Sequence, residues 1–341
     1  MSVDLYVIGN ALVDLEYSVD DQFLQQHQLQ KGTMQLAEPA AQQQLLSDLN
    51  QQYHAQEQAS GGSAANSSVA FTSMGGRAFY ACRVGNDDFG RFYLDGLSQA
   101  NVQVSPSSSS DGQTGTCVVL VTPDGERTMQ THLGITAELS AQQIDFEPLK
   151  TAKYLYLEGY LATSPSARAA VKQARQIVNQ HSTAANPIQI AITLSDPAMV
   201  QYARDGLDDL IADGVNILFC NEHEARMYTR TESMDDTLAA LLKLSKTVIV
   251  TRSEQGAIIA TQQQASLNQA PLHIDAVPCE AIDTLGAGDA FAGAFLYGLN
   301  QGLSLQQCGK LASATASQVV SQYGPRLSLS QYQAVLAQQA N

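Results

Sequence analysis

The second half of the sequence alternates between short apolar runs and longer segments of helical periodicity, and this alternation restricts the possible folds more than any other feature. The runs are the length of buried strands, whereas Ala167 to Gln180 and Leu238 to Leu244 have the apolar spacing of helices. Strands that alternate with helices usually pair in parallel and are covered on both faces. We therefore predict an α/β fold with a doubly wound, mostly parallel sheet. Its strands include Tyr154 to Glu158, Gln189 to Leu194, Ile217 to Cys220 and Thr247 to Thr251.

The first part of the sequence adds a strand and a hairpin. Leu5 to Gly9 is an apolar run that ends in glycine, which is typical of a buried strand. Thr116 to Thr122 and Thr128 to Leu133 are joined by a Pro-Asp-Gly turn, which predicts a hairpin. The spacing of three leucines between Tyr17 and Gln58 predicts one amphipathic helix there. Because no linker is long enough to separate two units, we expect a single domain over residues 1–341.

The clearest helical periodicity runs from Cys308 to Val319. Ser304 is a suitable cap for its start, and Gly324 and Pro325 are suited to ending it. We predict that this is the last helix of the fold.

Composition excludes several classes of protein. The net charge of −15 disfavours nucleic acid as a partner, because phosphate neutralisation requires clustered Lys and Arg. No apolar run approaches the ~20 residues of a membrane span. The sequence begins directly with a strand, without the pattern of a signal peptide. The five cysteines are scattered without metal-ligand spacing, so we expect reduced, buried thiols and a cytoplasmic location.

A glycine-rich turn ahead of a helix is the strongest chemical signal. The turn runs from Asp283 to Asp289, and apolar residues then recur at helical spacing. Free N–H groups and the helix dipole favour an anion at such a position. Asp289, in the first helical turn, is stabilised as a carboxylate that can accept a proton. The alternative for an isolated motif of this kind is a plain helix cap. A second signal is the Gly61-Gly62 pair, which precedes a helix that carries Asn66.

Together these motifs resemble the signatures of the ribokinase/PfkB carbohydrate kinase family, and the resemblance extends over essentially the whole chain. Gly61 to Gly90 is similar to the first signature, and Asp283 to Phe291 is similar to the second. The resemblance implies a ribokinase-like sheet with a small β-sheet lid, formed by about residues 14–36 and 114–133. It also implies a phosphotransferase that uses ATP and Mg²⁺, acts on a small molecule and exists as a monomer or homodimer.

The same resemblance implies roles for individual residues. Asp289 would be the general base, the Gly286-Ala287-Gly288 turn would form an anion hole, and Arg127 would reach the transferred phosphate. Glu224 would hold Mg²⁺ directly or through water, and Asp283 stands where members often bind a monovalent cation such as K⁺. The substrate-binding residues would be Asn10, Asp14, Gly61, Gly62, Asn66 and Tyr160. The nucleotide-binding residues would be Asn221, Thr251, Gly256 and Ser313. For Arg127 the alternative is a surface hairpin arginine, and for Glu224 a solvated helix start.

Within the family, several segments resemble the adenosine kinases. They include Gly9 to Asp14, Glu158 to Pro165 and Leu194 to Pro197. This resemblance implies phosphorylation of the 5′-hydroxyl of a nucleoside, with adenosine converted to AMP. A sugar or sugar-acid kinase of the ribokinase, fructokinase or ketodeoxygluconate kinase type is the alternative. A non-catalytic binding protein on the same fold is a third possibility, although it would not require the intact Asp289 turn.

Overall fold

The computed structural model describes residues 3–105 and 108–339, which form a nine-stranded sheet, a five-stranded sheet, a short two-stranded sheet of β6 and β8, and the helices around them. The strands are Leu5–Ile8 (β1), Leu12–Ser18 (β2), Met34–Leu36 (β3), Ala55–Gly61 (β4), Ala78–Ala81 (β5), Val84–Gly85 (β6), Gln103–Val104 (β7), Ser109–Ser110 (β8), Gly115–Val121 (β9), Arg127–His132 (β10), Tyr154–Glu158 (β11), Gln189–Thr193 (β12), Val215–Asn221 (β13), Ser245–Thr251 (β14), Ala257–Thr261 (β15) and Leu272–Ile274 (β16). The helices are Asp21–Gln26 (α1), Pro39–Gln52 (α2), Ser63–Ser73 (α3), Asp88–Gln99 (α4), Pro165–His181 (α5), Pro197–Tyr202 (α6), Arg204–Ile211 (α7), Glu222–Thr229 (α8), Met234–Leu241 (α9), Gln262–Ser266 (α10), Ala287–Asn300 (α11), Leu305–Val320 (α12) and Leu329–Gln339 (α13).

The main sheet has nine strands in the order β16-β15-β14-β13-β12-β11-β1-β5-β7. All neighbours from β14 to β7 pair in parallel, and only β15 and β16 add antiparallel pairs at one edge. This arrangement confirms the prediction of a doubly wound, mostly parallel sheet.

Helices cover both faces of the main sheet because its strands are apolar on both sides. Leu5 and Val7 point into a core that contains residues of α3, α11 and α12. Tyr6 and Ile8 alternate with them and point into a second core that contains residues of α5, α7 and α8. The side chains of a strand alternate between its faces, so a four-residue strand contributes to both cores.

The small sheet has five strands in the order β3-β10-β9-β2-β4. The predicted hairpin forms its centre as β9 and β10, and helix α2 confirms the predicted amphipathic helix. Val13 and Leu15 of β2 are buried in the apolar core, whereas Leu12 and Asp14 line a cavity. The sheet therefore has one face that packs and one face that is available to a ligand.

Two predictions from the sequence are wrong. The helix with the clearest periodicity is not the last, because α12 ends at Val320 and α13 follows it. The buried thiols are four rather than five, because Cys279 is exposed in the loop before α11. All five cysteines are free thiols, as expected.

Within the described ranges, no helix combines the length and the apolar character that crossing a membrane requires.

Candidate active site

A cavity of about 460 Å³ lies between the small sheet and the carboxyl ends of the main-sheet strands. Ligands of open α/β sheets bind at this edge, where the strands lead into loops and helix starts. The predicted site residues that line the cavity are Asn10, Asp14, Gly62, Asn66, Arg127, Tyr160, Asn221, Glu224, Thr251, Gly286, Gly288 and Asp289. The fold therefore brings together most of the residues that the sequence motifs single out, from segments far apart along the chain.

Asp289 lies in the first turn of α11 and is held by two donors from α3. The hydroxyl of Ser63 donates to its Oδ1 at 2.6 Å, and the amide of Asn66 donates to its Oδ2 at 3.0 Å. Burial raises the pKa of Asp289, while the hydrogen bonds from Ser63 and Asn66 oppose that rise. Asp289 is thus a fixed carboxylate with raised basicity at the wall of the cavity, which suits a general base.

The turn ahead of Asp289 presents its backbone to the cavity. Gly286 has φ of 73°, and a Cβ there would lie 2.5 Å from Cβ of Pro325, so only glycine fits. A Cβ at Gly288 would meet nothing within 4 Å. The N–H of Ala287 already donates to Thr284 at 3.4 Å, whereas no described residue accepts from the N–H of Gly288. An anion would therefore find a free donor at Gly288, whereas Ala287 is only partly available and the N–H of Ala290 donates to Gly286.

Asp14 extends from β2 into the opposite wall of the cavity. No described residue donates a hydrogen bond to its carboxylate, and its pKa is raised to about 7 by burial, against the charge of Arg326. Gly61 does not line the cavity but lies directly behind this carboxylate, where a Cβ would come within 2.0 Å of it. A partly buried carboxylate without a donor is ready to accept hydrogen bonds from the hydroxyl groups of a ligand.

Glu158, at the end of β11, is a buried acid to which sequence reasoning gave no role. Its Oε1 accepts from the N–H of Asn10 at 2.7 Å, and its Oε2 accepts from the N–H of Ala64 at 2.9 Å. Burial raises its pKa to about 7, although both N–H groups oppose the rise. Glu158 therefore fixes the loop after β1 and the start of α3, the two segments that carry Asn10 and Asn66.

Glu224 and Asn221 form a capping box at the start of α8. The two oxygens of Glu224 accept from the amide and the backbone N–H of Asn221, and Asn221 accepts from the N–H of Glu224. Burial raises the pKa of Glu224 to about 7. No group of three or more His, Cys, Asp or Glu side chains within the described ranges could hold a metal ion directly. Glu224 faces the cavity as one carboxylate rather than as part of a ligand cluster, and it fits Mg²⁺ held through water, because Mg²⁺ usually keeps several waters.

Arg127 joins the small sheet to the loop before α11. Its Nη2 lies 2.5 Å from the carboxylate of Asp283 and 3.5 Å from that of Glu16. The Asp283 carboxylate also accepts from the N–H groups of Leu285 and Gly324. The Arg127 guanidinium already balances the charge of Asp283, and this pairing disfavours a monovalent cation at that carboxylate in this arrangement. The surface alternative for Arg127 is excluded, because its side chain is 13% exposed.

The remaining predicted residues lie further from the centre of the cavity. Tyr160 lines it and donates to Asp196 at 3.5 Å. Gly256 is the turn residue between β14 and β15, where φ is 77° and its carbonyl accepts from the N–H of Arg252. The hydroxyl of Ser313 donates to the carbonyl of Asp275 and ties α12 to the loop before α11. The structure does not bring Gly256 and Ser313 into the cavity with the other residues.

Arg326 is a second residue that sequence reasoning missed. It follows Gly324 and Pro325, which the sequence indicated only as a helix stop. Its Nε donates to Oδ1 of Asn66 at 2.8 Å, so it lies directly behind the Asn66–Asp289 pair. No local sequence signal could have identified it, because its partners are about 260 residues away.

Comparison with known proteins places the chain in a family. The model of the pfkB family carbohydrate kinases matches residues 33–331. The structure of adenosine kinase from Sinorhizobium meliloti is 34% identical, covers 100% of both chains and has a TM-score of 0.87. That of a probable sugar kinase protein from Rhizobium etli CFN 42 is 34% identical, covers 99% of this chain and 100% of the other, and has a TM-score of 0.88. Adenosine kinase 2 of Arabidopsis thaliana is 27% identical over 92% of each chain. The chain belongs to the pfkB family of carbohydrate kinases.

Proposed function

We propose that this protein transfers the γ-phosphoryl group of ATP to the 5′-hydroxyl of a nucleoside, with adenosine converted to AMP. The observation that carries the proposal is the position of two carboxylates across one cavity. Asp289, held by Ser63 and Asn66, lies at the helix start, and Asp14, without a donor among the described residues, extends from the small sheet. The two acids would serve as the general base and as the acceptor for the hydroxyl groups of the sugar.

The apolar lining of the cavity supports a nucleoside over a bare sugar. The small sheet contributes Leu12, Met34, Val119 and Met129, and the main sheet contributes Phe219. A purine base has two apolar faces to bury, whereas a pentose presents hydroxyls on most of its surface. The volume of about 460 Å³ also exceeds what a single pentose ring fills. The names of the relatives from Sinorhizobium and Arabidopsis agree with this choice.

In the proposed reaction, the substrate hydroxyl gives its proton to Asp289 as its oxygen attacks the γ-phosphorus. The bond between that phosphorus and the β–γ bridging oxygen breaks, and ADP leaves. The N–H of Gly288 and the helix dipole would stabilise the charge on the moving phosphoryl group. Mg²⁺, held through water by Glu224, would neutralise part of the charge on the triphosphate.

Arg127 would supply a further positive charge from the small sheet, which we propose acts as a lid formed by about residues 14–36 and 114–133. Its Nη1 is buried and has no acceptor among the described residues. A buried donor without an acceptor costs ~1–3 kcal/mol, and a phosphate oxygen would remove that cost. Closure of the lid over the cavity would also exclude water, so that ATP is not hydrolysed.

A sugar or sugar-acid kinase is the second candidate, supported by the relative from Rhizobium etli, which has the same 34% identity. Such an enzyme would use Asp289 in the same way and Asp14 for the hydroxyls of its sugar. The two candidates therefore differ in what fills the apolar part of the cavity, and the substrate itself must decide between them.

The test is a panel of acceptors with ATP and MgCl₂, in which release of ADP is measured and the product is identified by mass. We expect adenosine to have the highest kcat/KM, ahead of other nucleosides, ribose, fructose and ketodeoxygluconate.

Asp289→Asn should lower kcat by ~10²- to 10⁴-fold while ATP still binds. Asp88→Asn, an exposed acid in the first turn of α4, is the matched control and should retain activity. A sugar preferred over adenosine would support the second candidate, and an Asp289→Asn variant with more than about a tenth of wild-type kcat would remove Asp289 from the role of base.

A further inference from the structure

Arg326 lies in the segment between α12 and α13 and extends behind the active site. Its Nη1 donates to the hydroxyl of Ser60 at 2.8 Å, and its Nη2 donates to the carbonyl of the same residue. Its Nε donates to Oδ1 of Asn66 at 2.8 Å. The guanidinium thus binds the last part of β4 and the first turns of α3 at the same time, and its plane is fixed by three acceptors.

This contact determines which way the Asn66 amide faces. Because Oδ1 of Asn66 accepts from Arg326, its NH₂ group points the other way and donates to Oδ2 of Asp289 at 3.0 Å. A flipped amide would place NH₂ against the guanidinium and a carbonyl oxygen against the carboxylate, so both contacts would become repulsive. The three side chains therefore form one directed chain of hydrogen bonds from Arg326 through Asn66 to Asp289.

Arg326 is also a positive charge that acts on both Asp14 and Asp289. It lowers the pKa of Asp14 and of Asp289, while burial raises both. The titratable groups around Arg326 and Asp289 come from several elements. One of them is Glu224, whose raised pKa partly reflects the charge of Asp289. The others are Asp14, Tyr80, Tyr93, Tyr156, Glu158, Tyr160 and Tyr332. None of these others carries a positive charge. Arg127 also acts on Asp14 but is paired with Asp283, so Arg326 is the cation that acts on Asp289.

We propose that Arg326 is a positioning residue that fixes the Asn66 amide and directs a positive charge toward Asp289, the proton acceptor. The proposal rests on the role given above to Asp289, but not on the identity of the acceptor. A nucleoside kinase and a sugar kinase would depend on Arg326 to the same extent.

The experiment compares Arg326→Gln and Arg326→Lys with the wild type, using whichever acceptor the wild type phosphorylates. In Arg326→Gln, kcat at pH 6.5 should fall ~10-fold or more, and the acid limb of the kcat profile should move up by about half a pH unit or more. The KM for ATP should change little. Arg326→Lys keeps the charge, so its acid limb should stay in place while kcat falls, because one ammonium cannot replace the planar contact. Arg91→Gln, which removes an exposed arginine of α4, is the matched control and should match the wild type.

A second readout does not depend on activity. The carboxyl ¹³C resonance of Asp289 in aspartate-labelled protein, assigned from its absence in Asp289→Asn, should titrate at a higher pH in Arg326→Gln than in the wild type. An unchanged titration in a folded variant would overturn the proposal, even if the acceptor panel had failed. If Arg326→Gln does not fold, full activity of Arg326→Lys would overturn it instead. Absence of activity in the wild type with every acceptor would count against the proposed function, and the titration would still decide on Arg326.

Discussion

Arg127 of the small sheet and Asp283 of the loop before α11 form an ion pair of 2.5 Å beside the cavity. Asp283 lies just ahead of the glycine-rich turn, so the pair connects the proposed lid to the proposed anion hole. The pair therefore offers a direct way to test whether the proposed lid closes over the cavity.

Arg127→Met should lower kcat/KM ~10- to 100-fold, because a hydrogen bond to a charged group contributes ~1.5–3 kcal/mol. Steady-state kinetics with the preferred acceptor would measure the loss. Lys31→Met is the matched control, since Lys31 pairs with Asp21 and Asp124 on the exposed side of the same sheet. Surface pairs contribute ~0–1 kcal/mol, so this control should stay near wild type. Equal losses in both variants would indicate a general effect on the small sheet.

Monovalent cations should have little effect on the wild type, because Arg127 already neutralises Asp283. Replacing KCl with tetramethylammonium chloride at constant ionic strength should leave kcat within about twofold of its value in KCl, since the replacement changes no contact of Asp283. A strong activation by K⁺ would contradict this expectation, and would mean that a cation competes with the guanidinium or binds elsewhere.

Asp14→Ala should raise the KM of the nucleoside by one or more orders of magnitude and leave the KM of ATP nearly unchanged. The reason is that hydroxyl groups buried without an acceptor cost ~1–3 kcal/mol each. In the wild type, 2′-deoxyadenosine should be a much poorer substrate than adenosine, and most of that difference should disappear in Asp14→Ala. If the wild type uses the two nucleosides equally well, Asp14 does not bind the ribose diol.

Glu224→Gln should raise the Mg²⁺ concentration needed for half-maximal activity and lower kcat, with the affinity for the nucleoside little changed. The amide can still take part in the cap with Asn221 but carries no charge to hold a hydrated cation. A titration with MgCl₂ at fixed ATP would measure the shift. A titration identical to that of the wild type would exclude Glu224 from the metal site.

The buried position of Asp14 also predicts a pH dependence of stability. The pKa of Asp14 is about 7 in the folded protein, against 3.8 for an aspartate that is fully exposed to water. The unfolded chain therefore binds fewer protons between these values, and the contribution of Asp14 to stability is lost as pH rises through 7. Asp14→Asn should gain stability relative to the wild type from pH 5 to pH 8, by on the order of 2 kcal/mol. Urea denaturation at the two pH values would measure it, and a constant difference would contradict the raised pKa.

The elements that can be predicted from the sequence are those whose structure depends on their own side chains and not on distant partners. Tyr154–Glu158 is an apolar run and was predicted with its observed bounds. Strand β4 was not predicted, because Ala55–Gly61 consists of residues with low strand propensity and is held by pairing with β2. Asp289 was identified from its local motif, whereas Glu158 and Arg326 act through contacts with residues far away in the sequence. Local patterns contain no information about such partners.

The hydrogen bonds around Asp289 have a consequence for how the enzyme becomes active after synthesis or refolding. Ser63 and Asn66 are 226 and 223 residues away from Asp289, and Arg326 is 260 residues away from Asn66. Contacts of such separation require closure of long loops and form slowly, whereas the capping box of Asn221 and Glu224 closes over three residues. Secondary structure should therefore return before the carboxylate is in place, and a partly folded chain would have its helices without its base.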